Sequence, residues 1–474
     1  MKKYFLLITL LIAPLFPTQA ATPEGNPSGQ SNTTIEVPRF TSGDRWCVLG
    51  DSITHGGQYH KYIELFYLTR FPSMKLDVIN CGISGDRATG AEKRVDWDCL
   101  HAKPTVVSVM LGMNDVNREL YSPNACGPDI EQQRTQAAQT YEASMRRLLP
   151  KLRDSGAKVI CVLPTPYDDT ADVAAPNLPG CHAALAGYGK KVADMAREFQ
   201  FPTVDFYTPL ATINSEKQKI DPHFSIIGTD RVHPKEPGHF IMATQFLKTQ
   251  HLEGVVSRID IDAKTNKTGT LENCDVQDLK VTPDGVTFTC LEKSLPFPVS
   301  DAAKPALGMT RFMDEFNQEI LRVNGLAKGD YELKIDGKPV RNYSSQDLAA
   351  GVNLAIEKNT PQFQQAIDVN QAMDQKWNEA AKIRTIAYVE FSAAPDATRP
   401  IDPELLKSKM EAQLAAAQGK SYEPYIRDQQ NKYLTFKANE AEYPAKMESA
   451  LAAARAAATP KPHQFSLQRV AASN

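Results

Sequence analysis

Val48-Leu49-Gly50-Asp51-Ser52-Ile53-Thr54 ends an apolar, strand-like run with a glycine, a carboxylate and a serine, and it reads as a turn that carries a nucleophile at the end of a β-strand. A serine hydroxyl is a weak nucleophile at neutral pH unless a base is held within hydrogen-bond reach, so this reading requires a base elsewhere in the chain. Asp230-Arg231-Val232-His233 supplies a histidine and a carboxylate three residues apart, close enough on a turn to face each other. Ser52 is therefore expected to be the nucleophile, His233 its general base, and Asp230 the group that orients His233 and stabilises the imidazolium. The alternative for Ser52 is a helix-capping serine in a phosphate-type turn. A second D-x-x-H, Asp98-Cys99-Leu100-His101, immediately precedes another strand-like run and so belongs to the opposite, N-terminal edge of a sheet, where His101 is expected to end a helix. His55, His60 and His223 have no partner at a persuasive spacing and are expected to be surface or packing residues.

Working outward, strand-like runs at 46–49, 76–80, 106–111, 159–163 and 203–206 alternate with helical patterns at 59–69, 88–101, 133–152 and 183–199. Such alternation predicts an α/β fold, a parallel sheet with helices on both faces. Right-handed crossovers then bring every strand's C-terminal end to one edge, where ligands bind in such sheets. After residue 252 the pattern changes. Short strand signals at 279–281, 286–290 and 331–335, with turns at Pro283-Asp284-Gly285 and Asp336-Gly337, predict a small β-rich module over 253–344, interrupted by one helix around 313–323. Over 345–474 helix signals dominate. Val369, Met373, Trp377, Ala380, Ile383 and Ala387 recur at helical spacing, and 404–418 and 447–458 add further helices.

Two more segments follow strand-like runs: Asn80-Cys81-Gly82-Ile83-Ser84-Gly85-Asp86 and Gly112-Met113-Asn114-Asp115. With Gly50-Asp51-Ser52 and Asp230 to His233 they form four blocks in the order found in the SGNH/GDSL hydrolase family, which the chain resembles over about half its length, placing a hydrolase domain at 43–252. The resemblance implies a three-layer α/β/α fold and a serine esterase that works through an acyl-serine intermediate and needs no metal or other cofactor. Attack on an ester creates an oxyanion, and each donor to it is worth about 3 to 4 kcal/mol. The matching family positions for these donors are the Ser52 N–H, the Gly85 N–H and the Asn114 side-chain amide, with Gly82 as the competing glycine. Asp51, Asp115 and Arg87 are expected to support the loops, with Arg87 having the alternative of meeting an acidic sugar. Resemblance to exported SGNH carbohydrate esterases with added C-terminal modules implies an O-acetylated carbohydrate as substrate. The alternatives are a lipase, lysophospholipase or thioesterase, a glycan O-acetyltransferase, and a non-catalytic glycan-binding protein.

The rest of the chain is consistent with export. Residues 1–20 read as a signal peptide, with Lys2 and Lys3 before an apolar run too short to span a bilayer, and 21–42 read as a flexible leader. The protein is expected in the periplasm or outside the cell. A net charge of -3 over 474 residues, with 23% charged, argues against a nucleic-acid partner, and no stable membrane span is expected. The sequence carries no signal for an oligomeric state. Of eight cysteines, Cys47 and Cys161 lie in apolar runs and are expected to be buried thiols. Cys126 with Cys181, and Cys274 with Cys290 across a hairpin, are candidate bridges in an oxidising compartment. No C-x-x-C, H-E-x-x-H or clustered histidines suggest a zinc site.

Overall fold

Each of the five apolar runs in the first half is too short for a helix and too hydrophobic for the surface, and pairing side by side under helices buries them on both faces. The computed structural model describes residues 35–471. The expected signal peptide and residues 21–34 of the expected leader lie outside them. The first half runs β1 (Arg45–Gly50), α1 (Ser52–Gly56), α2 (Tyr59–Arg70), β2 (Asp77–Gly82), α3 (Ala88–Asp98), β3 (Val106–Met110) and α4 (Pro128–Asp154). It continues with β4 (Lys158–Leu163), α5 (Cys181–Phe199), β5 (Thr203–Asp205), α6 (Tyr207–Lys217) and α7 (Glu236–Thr249). The strands form one parallel sheet in the order β2-β1-β3-β4-β5. Helix α2 packs on α7 and α3 on α4, giving the expected three-layer α/β/α arrangement. The chain leaves β1 on one side to make β2 and returns on the other to make β3. The order thus reverses between β1 and β3, the point where sheets of this kind bind ligands beyond the strand ends. Ser52 follows β1, and Asn114 follows β3.

Beyond α7 come β6 (Val255–Asp262), β7 (Lys267–Glu272), β8 (Cys274–Thr282) and β9 (Gly285–Glu292). They are followed by α8 (Phe312–Phe316), β10 (Gln318–Asn324), β11 (Asp330–Ile335), β12 (Lys338–Ser344), α9 (Ser345–Ala350) and β13 (Val352–Asn353). Four further helices, α10 (Pro361–Ala393), α11 (Pro403–Ala417), α12 (Glu423–Lys437) and α13 (Tyr443–Ala457), precede a last strand, β14 (Pro462–Arg469). The strands build two sheets, β13-β10-β6-β7 and β12-β11-β14-β9-β8, which share one core containing Ile259, Phe288, Leu321, Leu333 and Phe465.

Three expectations are corrected here. The helix expected around 313–323 is one turn, α8, followed by strand β10. Glu319, Leu321 and Val323 are buried while their neighbours are more exposed, so a period of two overrides the helical spacing and the run pairs in parallel with β6. The region 345–474 is not helical throughout, because β14 returns to lie between β9 and β11. Neither candidate bridge forms, and all eight cysteines are free thiols. Cys126 is exposed while Cys181 is buried at the start of α5, and in the β8–β9 register Cys290 lies opposite Val276, whereas Cys274 lies opposite Glu292. Cys47 and Cys161 are buried as expected.

Helix α10 braces the hydrolase half. Lys376 Nζ donates to Glu64 Oε1 at 2.7 Å and Oε2 at 2.9 Å on α2, and to the Val78 carbonyl on β2 at 2.9 Å. Both side chains are buried, and burial pushes the Glu64 carboxyl above its ordinary pKa even with the ammonium beside it. One turn pair further on, Arg384 donates to the Asn80 carbonyl at 2.8 Å and pairs with Asp98. Among the described residues no helix is long and apolar enough to cross a membrane.

Candidate active site

At the C-terminal edge of the sheet Ser52 Oγ lies 2.7 Å from His233 Nε2, and His233 Nδ1 lies 2.7 Å from Asp230 Oδ2. The two oxygens of Asp230 divide the work. Oδ1 accepts the backbone N–H groups of Val232 at 3.1 Å and His233 at 2.9 Å, closing the turn, which leaves Oδ2 for the imidazole. Partial burial opposes ionisation of Asp230, but the hydrogen bond from His233 and these two backbone donors hold its carboxyl well below the usual carboxylate range. An ionised Asp230 fixes the proton of His233 on Nδ1 and leaves Nε2 free to take the proton of Ser52. The pair is half-exposed, with side-chain exposures of 40% for His233 and 48% for Asp230.

The loops around Ser52 are held by charged side chains that the motifs do not reveal. Arg94, fully buried on α3, donates to the Gly50 carbonyl at 3.1 Å and the Cys81 carbonyl at 2.8 Å, and pairs with Asp86 at 2.7 Å and with Asp98. One guanidinium thereby ties the ends of β1 and β2 together. Arg231, within the D-x-x-H turn, donates to the carbonyls of Asp168, Ala171, Val173 and Ala175, pinning the segment 168–175 under His233. Asp168 in turn is buried among Asn214, Gln218 and Ser225. Arg231 bonds backbone carbonyls far along the chain, and Arg94 joins two nearby carboxylates to the distant Gly50 carbonyl, so no local pattern marks the tying role of either.

Asn114 donates through Nδ2 to the Asp86 carbonyl at 2.9 Å, and its Oδ1 accepts from Arg118 at 3.1 Å, so the amide is oriented and retains one N–H. The two glycines after β2 separate cleanly. The Gly82 N–H is donated to Asn80 Oδ1 at 2.8 Å, and a Cβ at Gly82 would lie 2.3 Å from the His55 nitrogen, so this glycine serves the close packing of α1 against β2. Gly85 has φ +78°, open space where a Cβ would be, and among the described residues no recorded partner for its N–H. Asp51 caps α1 by accepting the Ile53 N–H at 3.0 Å, and burial pushes its pKa up to about 6. Asp115 accepts the Ala88 N–H at 2.8 Å, and burial, with Asp51 and Asp86 nearby, pushes its pKa up to about 7. Arg87 does not hold the loops as expected. Its exposed side chain lines a cavity of about 250 Å³ with Thr89, Asp115, Asn117, Gln133, Gln136 and Thr140, and Arg94 takes the tying role. Tyr141, which also lines this cavity, donates to the Leu111 carbonyl at 3.1 Å, so the cavity opens just above the end of β3, beside Asn114.

The histidines also sort themselves. His101 is exposed in a short turn before β3, His60 is buried edge-on against Trp377, and His223 is exposed beside Asp172. His55 departs from expectation. It reaches the site by accepting the Ser84 N–H at 3.1 Å on Nδ1.

A hydroxyl, an imidazole and a carboxylate in this relay, at the reversal point of a doubly wound sheet, define a serine hydrolase of the SGNH/GDSL kind. Residues 48–241 match the model of the GDSL-like lipase/acylhydrolase family, and this part of the chain belongs to it; the protein is a carboxylic ester hydrolase. The acetylxylan esterase of Geobacillus stearothermophilus is 28% identical over 235 residues, covering 46% of this chain and 100% of that protein. A solved acetylxylan esterase structure from the same organism is 25% identical and covers 45% of this chain and 96% of its own, with a TM-score of 0.38. A gut microbial diltiazem-metabolizing enzyme is 28% identical with a TM-score of 0.83, covering 92% of this chain and 99% of its own. The β-rich sheets and the C-terminal helices are thus part of an architecture shared with that enzyme.

Proposed function

We propose that the protein is exported and removes O-acetyl groups from carbohydrates. Ser52 attacks the acetyl carbonyl as His233 takes its proton, and the oxyanion is met by the N–H groups of Ser52 and Gly85 and the amide of Asn114. The bond to the sugar oxygen breaks as His233 protonates the departing hydroxyl, and water deprotonated by His233 then releases acetate from the acyl-serine. The observation that carries ester hydrolysis is the relay from Ser52 through His233 to Asp230, with each contact at 2.7 Å. Arg87, Gln133 and Gln136 in the cavity beyond the end of β3 can meet sugar hydroxyls, and Ala137 and Tyr141 give it apolar surface as well, a mixture that suits an acetylated carbohydrate. The likeness to a protein named as an acetylxylan esterase supports the same class, and the N-terminal sequence supports export.

The test is hydrolysis of p-nitrophenyl acetate, butyrate and octanoate, an acetylated xylo-oligosaccharide and diltiazem by the wild type and by Ser52→Ala. The expected result is preference for acetyl over octanoyl, acetate released from the oligosaccharide, and loss of both in the variant. Faster octanoate hydrolysis, or acetyl transfer to a glycan in place of acetate release, overturns the assignment. A secreted form whose mass still includes residues 1–20 overturns cleavage of the signal peptide.

A further inference from the structure

The hydrogen bonds of His55 lead out of the hydrolase half and into the C-terminal helices. His55 Nδ1 accepts two bonds from the same residue, the Ser84 N–H at 3.1 Å and the Ser84 hydroxyl at 2.9 Å. With its own proton given to His55, Ser84 Oγ is an acceptor, and the Tyr425 hydroxyl on α12 donates to it at 3.1 Å. The order of donors is fixed, because a backbone N–H can only donate and therefore Nδ1 carries no proton. Burial, with Arg384 and Arg94 close by, keeps His55 uncharged by lowering its pKa to about 3, in keeping with two accepted bonds. His55 is itself anchored, its N–H on the Asp51 carbonyl at 2.8 Å and its carbonyl receiving Asn80 Nδ2 at 3.0 Å. Tyr425 is 41% exposed, and its ring meets Tyr388 of α10 edge-on at 5.7 Å, while Tyr388 lies 5.6 Å from the His55 ring.

Ser84 is the residue before Gly85, so the chain of bonds grips the peptide that presents the Gly85 N–H. We propose that Tyr425, carried to the catalytic edge by the C-terminal helix α12, is a positioning residue that acts through Ser84 and His55 to aim the Gly85 N–H at the oxyanion. The helices after residue 345 are then part of the catalytic apparatus as well as a brace. This inference rests on the hydrolase reading with Gly85 as an oxyanion donor. Gly85 has a left-handed backbone, φ +78°, and no side chain to hold it, so its N–H direction depends on the residue before it. A donor removed altogether costs about 10²- to 10³-fold in kcat, and one left present but loosely aimed costs a part of that.

The experiment compares wild type, Tyr425→Phe, Ser84→Ala and the double variant on p-nitrophenyl acetate, alongside hydrogen–deuterium exchange of the segment 83–87. Tyr425→Phe deletes one exposed hydroxyl and leaves the ring packing intact. A fall in kcat of about tenfold is expected, with KM and melting temperature unchanged and faster exchange at 83–87. Ser84→Ala should fall at least as far, and the double variant no further than Ser84→Ala, since both cut one chain. A kcat for Tyr425→Phe within twofold of wild type, effects that multiply in the double variant, or a rise in KM at constant kcat would overturn the proposal. If the wild type hydrolyses no ester, the hydrolase reading has failed, and unchanged exchange at 83–87 in Tyr425→Phe would then separately refute the grip on the loop.

Discussion

Replacing Lys376 by methionine tests whether α10 braces the hydrolase half through one buried ion pair. The substitution keeps most of the side-chain volume and removes a charge that spends all three of its N–H donors, two on Glu64 and one on the Val78 carbonyl. Glu64 is left in a site from which water is excluded. Removing one partner of a buried pair costs about 3 to 5 kcal/mol, because the remaining charge is uncompensated. Glu64 can escape by taking a proton, at about 1.4 kcal/mol for each unit its pKa must rise. The sign of the pH dependence follows. In the variant the folded protein holds a proton that the unfolded chain releases above about pH 4.3. Stability must therefore fall as pH rises from there, by up to about 1.4 kcal/mol per unit, until the raised pKa of Glu64 is passed. The penalty at pH 8 should exceed that at pH 5. The double variant Glu64→Leu/Lys376→Met removes both charges and should regain most of the loss. Urea unfolding followed by tryptophan emission suits the purpose, since the Lys376 ammonium lies 4.3 Å from the centre of the neighbouring Trp377 ring and its loss also marks the local environment. A single variant within 1 kcal/mol of wild type, using the same ~3 to 5 kcal/mol scale, a larger penalty at pH 5 than at pH 8, or a double variant no better than the single would refute the reasoning.

Two further outcomes follow from groups near the triad. Arg231→Met strips four backbone carbonyls of their shared donor, so kcat should fall by about tenfold or more as the His233 turn loosens, with a stability loss of about 2 to 3 kcal/mol by thermal unfolding; unchanged kcat would show that the turn stands without it. Asp115 has a pKa raised to about 7, so it binds a proton in the folded state that the unfolded chain has lost, and its contribution to stability is present at low pH and lost as pH rises through 7. Asp115→Asn keeps an oxygen for the Ala88 N–H and removes the titration, so the variant should be less sensitive than wild type to a change from pH 5 to pH 8 in urea titrations; identical slopes would reject a raised pKa at this carboxyl.

The central sheet was legible because its signals are short in range. A run of four to six apolar residues must be covered on both faces, and three of the four blocks lie within a few residues of such a run, while the fourth is a D-x-x-H turn just before α7. Ser52, His233 and Asp230 could be named for the same reason, since the partners that matter are on one turn or follow one strand. The tying roles of Arg94 and Arg231 were not legible, because they run through carbonyl oxygens up to 44 and 63 residues away and every residue type carries one. Tyr425 and Ser84 meet across 341 residues. In the second half, Met313, Phe316, Ile320 and Val323 recur at helical spacing while Glu319, Leu321 and Val323 alternate as in a strand, and the partner strand β6 decided between the two. In β14 only Phe465 and Leu467 alternate with polar neighbours, too short a signal to stand out in a region where helix signals dominate, and β9 and β11 on either side fix it as a strand.

That last strand sets the order in which the chain can finish folding. β14 sits third of five in its sheet, so β8 and β9 on one side, and β11 and β12 on the other, are two separate hairpins until residues 462–469 arrive to join them. During synthesis both hairpins present an unpaired edge, the kind of surface that recruits stray strands. They must wait through four helices, from Pro361 to Ala457, before the missing strand is made. A stop codon at or shortly after residue 462 would therefore leave the sheet open at its middle, and a tag or fusion placed after residue 469 sits next to a seam that closes last.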